Sequence, residues 1–379
     1  MKLVKDKEKC CGCSACAERC PAKAITMTVD EEGFYYPVIN EDNCTDCGLC
    51  LKVCRNTPLD NGLQNQKYYA VKSRSVADRM RSRSGGFFFE LAKQIINDNG
   101  AVYGVVMEVD CHVRYKRAAT LEEVKLMQGS KYVESDILGI YPYVENDLKD
   151  GLRVIFSGTA CQVAGLYGYL SLKKVDQSRL VTIDIVCHGV PSRKVLEDYI
   201  RFAEKKYKGR IEAFNFRDKS FGWNTHVETY IINGKKRARK NYTNLFYTNL
   251  CLRPSCGNCA FASYQRPADI TIADFWGLNE KLEGFDDNKG VSAVIVNTQK
   301  GTNAFDAIKD CVDIHEVDKE TCSQPNLHKP TKIPANRAEF WKVYKEKGFM
   351  GVMKAYGRYD LLRRIKWHLI DFRKIKNNR

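Results

Sequence analysis

Short runs of β-branched and aromatic residues alternate with polar ones along this chain and predict its first elements. Ile25-Thr26-Met27-Thr28-Val29 and Phe34-Tyr35-Tyr36-Pro37-Val38 flank Asp30-Glu31-Glu32-Gly33, a hairpin signal. Asn56 to Gly62 carries turn residues and reads as a linker. Tyr68 to Lys72 is a short strand; Ser84-Gly85-Gly86 opens a helix that runs to about Asn97, and Gly100 ends it before the β-prone run Ala101 to Val106. The rhythm repeats, with a short helix over Leu121 to Met127 and the strand Arg153 to Phe156 running into a helix past Gln162. The strand Val181 to Val186 closes at Cys187-His188-Gly189, and Pro191 sits in the first turn of a helix reaching about Tyr207. Beyond it, Asn233-Gly234 marks a hairpin between Thr229 to Ile232 and Arg237 onward. Asp269 to Asp274 and Val291 to Val296 are late strands, Ala304 to Cys311 a late helix, and the chain from Asn336 is helical and basic. The pattern predicts an α/β (α+β) protein.

Cysteine changes that picture. Two four-cysteine runs stand at the front, Cys10-x2-Cys13-x2-Cys16-x3-Cys20-Pro21 and Cys44-x2-Cys47-x2-Cys50-x3-Cys54. The first matches the bacterial ferredoxin pattern, in which three close cysteines hold one cluster and the fourth crosses to the other. On that reading Cys10, Cys13, Cys16 and Cys54 hold one 4Fe–4S cluster, and Cys44, Cys47, Cys50 and Cys20 the second. Two-residue gaps curl the chain around a cuboidal cluster, and Pro21 turns it away after Cys20. Structural zinc separates its cysteine pairs by longer stretches and needs fewer thiolates.

With 379 residues, 44% of them hydrophobic and 28% charged, the chain has the composition of an ordinary globular protein of two or three domains. Its first residues, Met1 to Lys7, lack the apolar stretch of a signal peptide, and the longest apolar runs fall short of a membrane span. Seventeen cysteines in such a chain point to metal-bound thiolates in a reducing, cytoplasmic setting. The formal charge is +15; three clusters of net charge about −2 each, thiolates included, lower it to about +9. That balance suits an acidic electron carrier, a flavin phosphate or an anionic substrate. No nucleic-acid recognition motif accompanies it.

Cys161, Cys187 and the pair Cys256-x2-Cys259 fall where strands end or turns tighten, where α/β folds gather ligands. Four thiolates suffice for another 4Fe–4S cluster or for zinc, but spacing alone leaves them balanced against buried structural cysteines. Longer motifs shift the balance. Ser84-Gly85-Gly86, Phe156-Ser157-Gly158-Thr159-Ala160-Cys161-Gln162, Asp184 to Ser192, Phe216-Arg217-Asp218-Lys219, Cys256-x2-Cys259, Ala268 to Gly277 and Gly290-Val291-Ser292 together resemble the beta subunit of coenzyme F420 (deazaflavin) hydrogenases and dehydrogenases. That family includes 7-hydroxymethyl chlorophyll a reductase and bacterial members of unassigned substrate. The resemblance covers most of residues 1–330. It implies FAD and a third cluster on Cys161, Cys187, Cys256 and Cys259. Ala160 stands where the family often has proline.

The expected organisation is a two-cluster ferredoxin-like domain over 1–60, a flavin- and cluster-binding domain over 66–330, and a helical basic tail over 331–379. Ser84, Gly85 and Gly86 offer a phosphate cradle at a helix start, against the plainer reading of a turn and cap. Gly129, Ser130, Lys131 and Tyr132 offer hydroxyl and ammonium groups to a flavin, against a polar loop. Thr159 and Gln162 flank a proposed ligand, within reach of an isoalloxazine edge. His188 titrates near neutrality but is more commonly a histidine bonded within the fold; Asp274 either orients the site or caps a strand. Cys11, Cys111, Cys251, Cys311 and Cys322 take no role. The expected function is an iron–sulfur flavoprotein oxidoreductase, passing electrons from ferredoxin or another redox partner to FAD and an organic acceptor, or the reverse; the alternative is an electron-transfer adaptor without a substrate site. In the tail, Leu361, Leu362, Ile365, Leu369 and Phe372 share a helix face, which is expected to pack on the protein rather than on a membrane.

Overall fold

The computed structural model describes residues 6–54, 65–280 and 282–362. The 56–62 linker and the tail beyond Leu362 lie outside them, so the reading of the tail's apolar face does too.

β1 (Ile25–Val29) and β2 (Tyr35–Ile39) form the expected antiparallel hairpin. It lies between two short helices, Ala15–Arg19 and Leu49–Val53, that follow the cysteine turns. The main sheet has eight strands: β3 (Lys67–Ser73), β4 (Ala101–Met107), β5 (Val113–Ala118), β6 (Val154–Thr159), β7 (Leu180–Ile185), β11 (Ile270–Asp274), β12 (Ser292–Val296) and β13 (Val312–Val317). Their order is β13-β3-β12-β11-β7-β6-β4-β5. The central strands β11, β7, β6 and β4 run parallel, and the flanking pairs are antiparallel. A second sheet joins β8 (Ile211–Asn215), β9 (Glu228–Ile232) and β10 (Lys235–Arg239). Its hairpin turns at Asn233 and Gly234, both at positive φ as a two-residue turn of this kind requires.

Period-two alternation along the central strands separates two cores. Val102, Val106, Ile155, Ile183 and Ile270 face the helices Phe87–Asn97 and Leu121–Met127, and Phe305 packs with them. Ala101, Tyr103, Val154, Phe156 and Leu180 face Ile140–Lys149 and Ala160–Leu172. Ala15 and Val53 of the N-terminal module belong to this second core, so the module shares apolar contacts with the large sheet. A third core sits between the small sheet and the helices Arg193–Tyr207, Asn241–Tyr247 and Arg337–Ala355.

The late helix starts earlier than expected, at Gln299–Asp306, because Thr298 caps it by accepting from the Gly301 amide at 3.1 Å; Lys309–Cys311 is a separate 3-10 turn. Glu228 anchors the small sheet. Its fully buried carboxylate accepts from Tyr199 Oη and from the Tyr242 and Thr243 amides at 2.9 Å each, and from Thr243 Oγ1 at 2.6 Å. Glu228→Ala strands several buried donors at about 1–3 kcal/mol each and should cost at least about 3 kcal/mol in urea unfolding, with Glu228→Gln milder.

Candidate functional site

The register of the parallel strands sets the third cysteine group. Thr159 of β6 pairs with Ile185 of β7, so Cys161 and Cys187, each two residues on, leave the sheet side by side. Thr159 and Gln162 form a capping box at the start of the Ala160–Leu172 helix, with Gln162 Oε1 also accepting from Tyr115 Oη at 2.8 Å. Thr159 Oγ1 lies 3.1 Å from Cys161 Sγ. Cys256 follows in the 3-10 turn Pro254–Asn258, and Val190 donates its amide to Cys256 Sγ at 3.3 Å. Cys187 feels the charges of Cys256, Cys161 and Cys259 together, so the four form one group.

The N-terminal cysteines sort across the two runs. Cys16 neighbours Cys10 within its own run and Cys54 neighbours Cys10 across the runs; Cys50 neighbours Cys20 across them and Cys47 within its own, and Cys54 also lies near Cys50. This is the crossed arrangement of a two-cluster module. Burial, then Cys10 and Cys54, pushes the Cys16 thiol up to about 12, and burial does the same for Cys256. Packed thiols without a counter-charge hold their protons, and metal binding displaces them. Among the described residues, no three His, Cys, Asp or Glu side chains converge on a single ion-sized point. A cuboidal cluster asks for a different arrangement, one thiolate on each of four irons.

Cys11, which the sequence left without a role, stands between the two regions: its thiol has Cys13 on one side and Cys161 on the other. Gly165, on the helix after Cys161, makes the approach possible. A Cβ there would stand 3.0 Å from Cys13 Sγ and 2.8 Å from Tyr141 Oη. Gly165→Ala should therefore overpack this seam, costing about 1–3 kcal/mol in thermal unfolding and broadening the electron paramagnetic resonance (EPR) signal of one cluster.

Also near the C-terminal end of the parallel strands, where β4 finishes at Met107, lies a cavity of about 270 Å³, lined by Arg81, Arg83, Lys131, Arg217 and Lys219 with Ser82, Gly129, Ser130 and one carboxylate, Asp218. Two of these cations are already engaged. Lys131 Nζ donates to the carbonyls of Leu126, Met127 and Gln128 at 3.0 Å, and Lys219 Nζ to those of Arg79, Ser84 and Lys289 at 2.7 Å. Burial pulls each lysine down to about 7. Arg83 differs. Its side chain is 9% exposed and its Nη2 reaches Trp223 O and Asp274, yet Nε and Nη1 are buried without a hydrogen-bond partner. Buried N–H groups left unpaired are costly, so a ligand that accepts from them fits here. Asp274 orients the site: it takes Arg217 Nη1 at 2.8 Å and Arg83 at 3.3 Å.

Ser84, Gly85 and Gly86 stand behind this cavity and not among its lining residues. Ser84 Oγ donates to Val291 O, the Gly85 amide to Ser292 Oγ, and Gly86 starts the Phe87–Asn97 helix at φ +92°. A side chain at Gly85 would meet Val71 O at 2.1 Å, so the loop is tied down between β3 and β12. Tyr132 points elsewhere, accepting from Arg217 Nη1 at 3.2 Å beside Phe216 and Phe246.

Next to the cavity is an aromatic group absent from the sequence reading. Trp276, 38% exposed, stacks on Trp223 at 5.4 Å and on His226 at 5.9 Å, under the Arg217 guanidinium. Burial, then Arg217 and Arg83, pushes His226 down to about 4, so its imidazole is neutral at pH 7 with Nδ1 on Tyr247 Oη at 2.9 Å. No titration of this ring should appear above about pH 5 in its NMR shifts. His188 is held within the fold, its Nε2 on Asn249 Oδ1 at 2.7 Å and its ring against Phe246 and Tyr247. Cys111, Cys251 and Cys322 are buried and Cys311 is exposed.

Known proteins resemble the chain in two stretches. Residues 9–57 match the 4Fe-4S dicluster domain, and residues 151–321 match the family described as the C terminus of the coenzyme F420 hydrogenase/dehydrogenase beta subunit. Over the front stretch the chain is 35% identical to an uncharacterized ferredoxin of Methanocaldococcus jannaschii and 41% identical to pyruvate synthase subunit PorD of Thermotoga maritima. Each match spans 54 residues, 14% of this chain, and covers 69% and 50% of those proteins. Ferredoxin-type protein NapF of Haemophilus influenzae is 38% identical over 11% of this chain, which spans about a quarter (24%) of that protein. Among solved structures, a chain of the F420-reducing NiFe hydrogenase complex from Methanosarcina barkeri aligns with TM-score 0.47 and 15% identity, over 74% of this chain and 92% of that one. With the crossed cysteines at its front and the matched stretch behind them, the chain is an electron-transfer iron–sulfur protein of the coenzyme F420 hydrogenase/dehydrogenase beta-subunit family.

Proposed function

We propose that this protein is an iron–sulfur flavoprotein oxidoreductase that takes electrons from a ferredoxin-like donor, through 4Fe–4S clusters, to FAD and an organic acceptor, or runs in reverse. The observation that carries it is the close approach of Cys13 to Gly165, on the helix that carries Cys161, where a Cβ would stand 3.0 Å from Cys13 Sγ; the inner end of the N-terminal module thus lies against the element bearing the third cysteine group. Cys10, Cys13, Cys16 and Cys54 hold the inner cluster, Cys20, Cys44, Cys47 and Cys50 the outer one, and Cys161, Cys187, Cys256 and Cys259 the third. The division of labour follows residues 1–60, 66–330 and a tail over 331–379. Cluster thiolates fit a reducing compartment such as the cytoplasm.

The cationic cavity suits the diphosphate of FAD, since Arg83 offers two unpartnered donors there. Gly129 and Ser130 line the same cavity, while Lys131 closes the preceding helix. When bound, FAD supplies the exchange between single electrons and a transferred pair. The chain's part is to hold it: Asp274 fixes Arg83 and Arg217, and Trp276 offers a flat, half-open face beside them.

The adaptor reading draws on one feature, a cavity slightly below the roughly 300–1,000 Å³ of typical cofactor pockets. Anaerobic purification with iron, sulfide and flavin analysis separates the two. Stoichiometric FAD supports the oxidoreductase, and full iron without flavin supports the adaptor. The redox partner is a protein in either case; no helix among the described residues is long and apolar enough to cross a membrane.

A further inference from the structure

We propose that Arg253 is a positioning residue for the inner cluster, raising its reduction potential so that it collects electrons at the face turned toward the core. The inference rests on the ligand reading above, in which Cys10 holds that cluster.

Arg253 belongs to the large domain, three residues before Cys256, and its side chain reaches into the N-terminal module. It is 1% exposed. Nε donates to Cys10 O at 2.7 Å, and Nη2 to Tyr35 O at 2.7 Å and to Cys10 Sγ at 3.7 Å. The guanidinium lies 4.3 Å from the centre of the Tyr36 ring and 5.5 Å from that of Phe34. Gly12, between the ligands, leaves the space: a Cβ there would stand 2.7 Å from Nη1. The backbone carbonyl of Arg253 accepts the Cys256 amide at 3.0 Å, so one residue touches ligands of both the inner and the third group.

The counter-charge is off to one side. Glu134 pairs with Nη1, and its other oxygen accepts the Tyr35 amide at 3.1 Å. The guanidinium therefore stands between the carboxylate and the Cys10 sulfur, its positive end toward the cluster. Reduction adds one negative charge to a cluster. A buried cation and an N–H···S bond favour the reduced form, and both are levers that set cluster potentials. The outer group has a different neighbour, with Asp46 Oδ1 3.8 Å from Cys44 Sγ.

The test is EPR-monitored redox potentiometry on the full-length, anaerobically reconstituted protein, with iron counted in each variant. Arg253→Met should keep the iron and shift one module signal alone toward harder reduction by about tenfold in its equilibrium constant, about 59 mV for a one-electron couple. Glu134→Gln keeps the acceptor, removes the counter-charge and should shift the same signal the opposite way, by about threefold on the same electrostatic argument. Opposite shifts of one signal establish the role, because damage to packing does not reverse sign between the two variants. Unshifted potentials with full iron, or shifts of the same sign, overturn it. If Arg253→Met fails to fold, Glu134→Gln decides alone: an easier reduction supports the role and an unchanged potential refutes it. A failure of the ligand reading shows separately, as Cys10→Ser leaving the iron count unaltered.

Discussion

Cys161→Ser should lower the iron of the reconstituted chain from about twelve to about eight, four irons being one cluster. The module's two EPR signals should persist, because Cys161 is not among the eight cysteines of the two N-terminal runs. Reduction of bound flavin by ferredoxin should slow by orders of magnitude in the same variant. The sulfur lies beside Thr159, in the first turn of a well-packed helix, so serine is accommodated and the protein should stay folded. An iron count unchanged in Cys161→Ser would remove the third cluster.

Arg83→Met carries the next largest effect. The guanidinium is buried, two of its nitrogens lack partners, and the cavity in front of it holds other cations but few free donors. A charge-assisted hydrogen bond is worth about 1.5–3 kcal/mol, so flavin retention should fall roughly ten- to a hundredfold in equilibrium dialysis. Ser84→Ala is the contrast. Its hydroxyl is bonded to Val291 O, away from the cavity lining, and its loss should touch stability more than flavin. Equal retention in Arg83→Met and the unaltered protein would place the flavin elsewhere.

The sequence displayed the central strands because they carry apolar and β-branched residues side by side on both faces, as in Val154-Ile155-Phe156 and Leu180-Val181-Thr182-Ile183. It concealed β5 and β13, whose runs Val-Arg-Tyr-Lys-Arg-Ala and Val-Asp-Ile-His-Glu-Val are diluted by the charges that edge strands carry. The helix Ile140–Lys149 was hidden by Gly139 and Pro142, which read as loop residues yet serve as N-cap and first-turn proline. In the site, cysteine spacing singled out the eight N-terminal candidates, because cluster geometry leaves a trace in sequence, whereas Cys161, Cys187, Cys256 and Cys259 needed the longer motifs around them. Cys11 was illegible, since its neighbour Cys161 is far along the chain. Arg83, Arg217 and Arg253 were illegible for another reason. A buried arginine looks like a surface one until its acceptors are placed, and these acceptors, Asp274 and Cys10 O, come from other elements.

The glycines of Ser84-Gly85-Gly86 teach the same lesson from the other side. A helix-start pattern suggested phosphate, but Gly85 is glycine because β3 and β12 close on it, and the unpartnered donors stand one residue earlier, on Arg83. Pattern indicated the neighbourhood, and hydrogen-bond accounting chose the residue.

Electrons entering the N-terminal module should reach a flavin in the large domain. The most direct test mixes reduced ferredoxin anaerobically with the flavin-loaded full-length protein and follows the visible spectrum in time. The iron–sulfur absorbance should bleach first and the flavin band follow, with the second phase abolished in Cys161→Ser. A flavin band that stays oxidised while the clusters bleach, or that bleaches equally fast without Cys161, contradicts that route.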